Sequence, residues 1–374
     1  AGRGTARAQE LARGAAELAA LQQALCASGY PPTAEPPEAA FQPQHVARPL
    51  RSPRGPVLVW RCKHPHGLFS MFSLMMGHAE RCERHGWSLI VDWSGEELLY
   101  RGPPGMPNLW TAFFKQPAEL TRQPEELLRA LRSGQFYETN RHDAVFGAYC
   151  GVIQDYGGIQ PQLAAHGRAL CRRSVALRER FSQRLRVTAE ALLGGGHRWL
   201  AVHVRRSDKA CEARANFELS DGDIALRVAA QCTVWRCDGV FLCTDDAALK
   251  QCLQARLAAG PEKGGAGLLV RAYPATLSSV QGQAVHFDKS LDSYQKAEDV
   301  VVEALLMARA CHGLLSTYSN VSASTVYLSP EGYPYTTFWD PLESTVVAGE
   351  GAACSPEVGA LSRCSEVLGT ARAR

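Results

Sequence analysis

The sequence has no long hydrophobic run. No window approaches 18 consecutive apolar residues, which excludes a membrane-spanning helix within its 374 residues. Membrane contact is expected only through an anchor N-terminal to residue 1. It has little net charge: 40 Lys and Arg stand against 37 Asp and Glu, leaving +3. No whole-chain field draws it to nucleic acid or to an anionic surface. Gly-x-x-x-x-Gly-Lys and Gly-x-Gly-x-x-Gly are both missing, so the two familiar glycine-loop phosphate cradles are excluded. There is no Cys-x-x-Cys and no His-x-x-x-His, and no zinc site or other metal site is expected.

Cysteine and apolar residues are plentiful. A hydrophobic fraction of 46% over this length supports two domains. Thirteen cysteines are many for a cytosolic enzyme, and the odd count leaves one unpaired in a monomer. A Cys354–Cys364 pair in the Gly- and Ala-rich tail would suit a secretory compartment, whereas Cys243 and Cys311 lie in apolar surroundings and read as small buried hydrophobes.

Along the chain, residues 6–28 carry leucines at helical spacing and 29–55 form a Pro-rich lead-in. A strand at 56–62, a helix at 68–86 and a strand at 88–93 make a β-α-β unit. Residues 123–150 and 161–193 read as mainly helical, and Gly194-Gly195-Gly196 marks a boundary. Beyond it, strands at 199–204, 239–243, 267–271 and 313–317 alternate with helices opening at Ser220 and covering 247–258, 297–311 and 320–328. The expected architecture is α/β: a lead-in over 1–54, a Rossmann-like domain over 55–193, a second over 197–346 and a tail over 347–374.

Three strand ends in the second domain carry polar clusters: Arg205-Arg206-Ser-Asp208-Lys209, Thr244-Asp245-Asp246 and Thr317-Tyr318-Ser319-Asn320. Ligands of open α/β sheets sit at the carboxyl ends of strands. Two guanidiniums there, facing a strand-to-helix turn, suit a phosphate or diphosphate. A pair of surface arginines after an edge strand remains the plainer alternative. Asp221 and Asp223 follow Ser220 as first-turn acids of a helix and are read as capping residues rather than metal ligands. Asp245 and Asp246 face the same choice between ligand and cap. Glu303 sits among Val301, Val302, Leu305 and Leu306 and needs a partner there. Either a nearby basic side chain or a base presenting two N–H groups, as guanine does, would serve.

The string His203-Val-Arg205-Arg206-Ser-Asp208-Lys209 resembles the signature of the α-1,6-fucosyltransferases that act on N-glycan cores. Val-Phe-Leu-Cys-Thr-Asp245-Asp246 resembles their second motif. The helix with Glu303, followed by Leu-Leu-Ser-Thr-Tyr-Ser319-Asn320, resembles their third. Ser88-Leu-Ile-Val-Asp92-Trp93-Ser-Gly and Asn108-Leu-Trp-Thr-Ala-Phe-Phe-Lys-Gln-Pro117 are similar to stretches of the rhizobial nodulation enzyme of the same family, so the likeness covers about residues 55–345.

The resemblance implies a GT-B-like fold, with two Rossmann-like domains facing a central cleft. It implies inverting transfer from GDP-fucose to an oligosaccharide or glycoprotein, without metal or other cofactor, in the Golgi or secretory lumen. By the same likeness Arg205 and Arg206 hold the diphosphate, His203 and Glu303 contact guanine, and Ser319 faces the phosphates. Asp208 and Lys209 order the loop, and Glu212 is the base that deprotonates the acceptor. The chain departs from the family in four places. Glu212 stands three residues after Lys209 where the family has four. Glu303 replaces an Asp, Asn320 replaces a Gln, and only a short tail follows residue 347. A protein O-fucosyltransferase, a transferase using another nucleotide sugar, and an inactive nucleotide- or glycan-binding homologue are the competing readings.

Overall fold

In the computed structural model the described residues are 55–132, 136–140, 149, 153–154, 158–206, 220–259, 266–275, 285–317 and 319–338. The expected N-terminal helix, Asp208, Lys209, Glu212, and Cys354 with Cys364 lie outside them.

The first half is built on β1 (Val57–Arg61), α1 (Leu68–His85) and β2 (Ser88–Asp92). Residues 57–60 and all of β2 are buried, as continuous apolar runs in parallel sheets are. α1 ends at Gly86, whose φ of 66° suits a left-handed C-cap that glycine adopts at no steric cost. A short helix α2 (Leu109–Phe113), a 3-10 turn (Pro117–Leu120) and α3 (Pro124–Arg132) follow. β3 (Phe136–Thr139) then pairs parallel with β1, giving the order β2-β1-β3.

That strand corrects the helical reading of 123–150. Phe136-Tyr-Glu-Thr139 is rich in aromatic and β-branched residues, and a pairing edge on β1 overrides the helical neighbours. A two-residue hairpin of β4 (Ile153–Gln154) and β5 (Gly158–Ile159) precedes α4 (Pro161–Ser174) and α5 (Glu179–Leu193).

The second half matches its expected elements closely: β6 (Trp199–Val204), α6 (Asp221–Trp235), β7 (Gly239–Thr244), α7 (Ala247–Ala258), β8 (Leu269–Arg271), α8 (Ser293–Ala310), β9 (Gly313–Ser316) and α9 (Asn320–Leu328). β10 (Tyr335–Phe338) adds an edge strand that the sequence pattern did not reveal. All five strands are parallel, in the order β10-β9-β6-β7-β8. Chain order therefore runs one way from β6 through β7 to β8 and the other way from β6 through β9 to β10. This is a doubly wound sheet whose switch point lies between β6 and β9.

Strand phase decides which side chains meet. Leu200, Val202 and Val204 of β6 pack on α6 and α7, together with Val240 and Leu242 of β7. The alternate set, Trp199 and Ala201 with Phe241 and Cys243, faces the other way. It joins a continuous hydrophobic cluster with α8, α9, α1 and the first sheet, from Trp60 through Val301 to Tyr327. His203 has the phase of Trp199 and Ala201, so the two-residue repeat turns it toward α8. Gly239 allows β7 to lie against Trp199: a Cβ there would meet the indole at 2.5 Å.

Candidate active site at the switch point

Helix caps fix the loops around the C-terminal ends of β6, β7 and β9. Ser220 caps α6 by accepting from the Asp223 amide at 3.1 Å, and Asp223 returns the bond to the Ser220 amide, forming a capping box. Asp221 and Asp223 are thus first-turn acids, as expected. Asp246 caps α7 through the Leu249 amide at 3.0 Å. Ser319 caps α9 through the Ser322 amide at 3.1 Å and is fully buried.

These caps separate the expected donor-binding residues into two groups. One group braces the loops. Arg206 places its guanidinium 2.6 Å from Asp221 and 3.9 Å from Asp246, and its amide donates to Asp245 at 3.1 Å. Asn320 donates to Ser70 of α1 at 2.7 Å, tying α9 to the first half. Ser319 caps α9 and places its hydroxyl 3.1 Å from that of Ser322 and 3.5 Å from His203 Nδ1. The other group lines a cleft with about 600 Å³ of empty space, including its open mouth: His203, Arg205, Asp245 and Glu303.

Arg205 is held from behind. Its amide donates to the Thr317 hydroxyl at 3.0 Å, joining the ends of β6 and β9 across the switch point. Its Nε lies 3.8 Å from Asp245, a loose ion pair in a half-buried setting. His203 is buried, and its Nδ1 lies 3.2 Å from the Ser316 hydroxyl. Ser316 already donates to the Thr317 carbonyl at 2.7 Å. Nδ1 also lies 3.5 Å from the Ser319 hydroxyl, so two tautomers fit the network: Nδ1–H donating to Ser316 with Nε2 an acceptor, or Nδ1 accepting from Ser319. Burial, with Arg205 nearby, pushes the imidazole down to about 3, so it stays neutral.

Glu303 is the most unusual group in the cleft. Its Oε1 is sealed from solvent and has no hydrogen-bond partner among the described residues. Burial raises the carboxyl to about 8; Lys250 opposes the rise, and Asp299 and Asp245 add to it. The Lys250 ammonium instead donates to the Tyr273 carbonyl at 2.9 Å. No salt bridge satisfies Glu303 among the described residues, so that alternative falls away.

The sequence pattern missed Lys296 and Asp299, which also line the cleft. The expected helix began at 297, whereas α8 starts at Ser293, capped by Asp292. With the first turn in place, 296, 299 and 303 recur at three and four residues and share one face. That spacing was the available signal. Tyr100, from the loop after β2, was missed because it reaches the cleft from the other half. Its neighbour Leu99 accepts from Ser293 at 3.2 Å. Among the described residues, no group of three His, Cys, Asp or Glu side chains could hold a metal ion.

No protein-family model and no curated protein matches this chain. Several solved structures are similar at low identity. The NodZ alpha-1,6-fucosyltransferase co-crystallized with GDP is 17% identical, with a TM-score of 0.43 covering 77% of this chain and 96% of that one. Fucosyltransferase NodZ from Bradyrhizobium, in selenomethionine form, gives 17%, 0.44, 77% and 95%. POFUT1 in complex with GDP is 9% identical, with a TM-score of 0.41 covering 77% and 98%. Likenesses this distant assign no residue role.

Proposed function

We propose that this protein is a GDP-fucose-dependent fucosyltransferase, with the nucleotide bound at the switch point between β6 and β9. The observation that carries the reading is the pair of acceptors at the cleft wall. In this reading His203 takes the tautomer that donates from Nδ1 to Ser316 and presents Nε2 as an acceptor, and Glu303 has an unpartnered carboxyl oxygen. A guanine edge offers N1–H and an N2 amino group to such acceptors. Adenine offers an acceptor at N1 and leaves one of them opposed.

Arg205 supplies the chemistry of the leaving group. As the glycosidic C1–O bond breaks, negative charge grows on the departing diphosphate. A guanidinium fixed by its own backbone bond to Thr317 stabilises that charge more in the transition state than in the ground state. Arg206, in this reading, shapes the loop through Asp221 and Asp246. The acceptor hydroxyl must lose a proton to a carboxylate; Glu212 is the residue proposed for it, on the resemblance of its motif. The acceptor is proposed to be a glycan hydroxyl, with α-1,6 linkage the finer form of the proposal. A secretory lumen is the proposed setting.

Calorimetry with GDP, UDP and ADP tests the nucleotide reading, which is lost if UDP or ADP binds as tightly as GDP. Incubation with GDP-fucose and an array of acceptor glycans, with and without chelator, tests turnover, linkage and metal independence together.

A further inference from the structure

Glu303 and Asp299 lie four residues apart on α8, and both line the cleft. One helical turn separates them by about 6 Å along the axis. α8 ends at Ala310 and β9 begins at Gly313, so the helix runs against the strands and its first turns lie over their C-terminal ends. Asp299 therefore stands above Glu303, nearer the level where Arg205 leaves β6. A nucleotide with its base at His203 and Glu303 and its diphosphate at Arg205 must pass its ribose along this stretch.

We infer that Asp299 recognises the ribose of the nucleotide, accepting hydrogen bonds from its vicinal hydroxyls. The inference rests on the GDP reading above. The chemistry is that of a carboxylate taking a sugar diol, the role an acidic residue serves on the ribose in dinucleotide folds. The side chain is prepared for it. Asp299 is 3% exposed, and Gln295, one turn before it, donates to Oδ1 at 2.7 Å and fixes its rotamer. Lys296, on the same face, donates to the Asp288 carbonyl at 2.7 Å. The orphaned Glu303 oxygen is the independent sign that this wall awaits a ligand. Its helical spacing from Asp299 makes the two carboxyls a ruler for base and sugar together.

The test is titration calorimetry with GDP, 2′-deoxy-GDP, 3′-deoxy-GDP and UDP. The expected result for the unaltered protein is GDP bound about tenfold or more tighter than either deoxy analogue, the scale of a hydrogen bond to a charged group. Asp299→Asn should weaken GDP by more than it weakens either deoxy analogue, each of which keeps one hydroxyl for Asp299, so that the discrimination narrows. Equal affinity for GDP and both deoxy forms overturns the inference while leaving the GDP reading intact. So does a full preference for GDP in a folded Asp299→Asn variant, since Asp299 would then serve Lys296 or the helix. Failure of GDP to bind, or UDP binding as tightly, instead removes the nucleotide reading on which the inference stands. The deoxy-nucleotide arm needs no variant, so a poorly folding Asp299→Asn does not blunt it.

Discussion

Both sheets set an arginine at or just past the end of one strand beside an aspartate at or just past the end of its neighbour, and only one of the two pairs lines an open cleft. In the first half, Arg61 closes β1 and Asp92 closes β2. Arg61 lies 3.3 Å from Asp92 and 3.1 Å from Glu138, and Asp92 also accepts from the Ser94 amide and hydroxyl. The edge of β2 is sealed as well. Asn108 takes the Trp93 and Trp110 amides and donates to the Val91 carbonyl, while Gln116 bonds both the amide and the carbonyl of Val91. The carboxylates at the strand ends of this half are met, although the Trp60 and Trp93 indoles and Arg61 Nε lack a hydrogen-bond partner among the described residues. In the second half Arg205 meets Asp245 only at 3.8 Å, and across the cleft Glu303 keeps an unmet oxygen. Similar strand-end chemistry is closed by partners in one sheet and lines an open cleft in the other, although in both sheets the winding reverses beside the arginine's strand.

The largest effect that would break this comparison is on turnover. Arg205→Ala should lower kcat with GDP-fucose by about 10²–10³-fold, roughly 2.7–4 kcal/mol of transition-state stabilisation, as the loss of one preorganised donor does. Arg61→Ala should leave kcat within about twofold and cost about 1–3 kcal/mol of stability, because it leaves the buried Asp92 carboxylate without its cation. Steady-state rates and denaturant midpoints of the two variants measure both. Equal losses of turnover would erase the distinction between the sheets.

Glu303 gives the next largest effect and a pH signature. Its folded-state value of about 8 lies above the ordinary glutamate value of 4.5, so between those limits the folded protein holds a proton that the unfolded chain releases. Stability contributed by this group therefore falls as pH rises from about 4.5 to about 8. Glu303→Gln should flatten that limb and raise the melting temperature at pH 8. It should also weaken GDP by about tenfold to a hundredfold, through loss of charge-assisted acceptance. Because guanine's donors favour the carboxylate, GDP binding at pH 7 should release close to one proton. Calorimetry in buffers of different ionisation enthalpy counts it, and no buffer dependence would argue against Glu303 facing the base.

The second half was more legible in sequence than the first, and the reason is local. Its strands are continuous apolar runs ending in charge, and its helices open on strong caps at Ser220, Asp246 and Ser319. β6, α7 and α9 consequently match their expected bounds. In the first half β3 was read as helix because its identity depends on the free edge of β1, a partner far away in the chain. The site was legible as to residues and less so as to roles. The string around Arg205 and Arg206 cannot say which guanidinium is drawn off by acids on α6 and α7. That depends on Asp221 arriving 15 residues later at 2.6 Å. Nor could an apolar neighbourhood tell whether Glu303 had found a lysine, since the Lys250 ammonium is committed to a backbone carbonyl.

That division between the arginines yields a smaller, sharper effect. Arg206→Ala should destabilise the fold by about 1–2 kcal/mol, because it removes a charge-assisted bond to Asp221 from a side chain only 17% exposed. Arg205→Ala should lower the unfolding midpoint by less than Arg206→Ala, since its ion pair with Asp245 is the looser one, at 3.8 Å. A double-mutant cycle of Arg206→Ala with Asp221→Ala separates the pair from incidental effects. A Kd for GDP that responds to Arg206 as strongly as to Arg205 would return Arg206 to the diphosphate.

The smallest effect concerns the seam between the halves. Asn320 stands at the first position of α9, where a ligand-facing amide was one expectation, yet it donates to Ser70 on α1 at 2.7 Å. Ser70 lies in the first turn of α1, whose buried face carries the same continuous core as α9. Asn320→Ala should therefore cost about 1 kcal/mol, the net worth of one partly buried hydrogen bond. It should leave GDP affinity unchanged, because the N-cap of α9 is made by Ser319 and survives the substitution. Ser70→Ala should give the same loss, and the two together little more than either alone, since each removes the same bond. Additive losses would mean that the amide has another use, and a parallel fall in GDP affinity would place that use in the cleft.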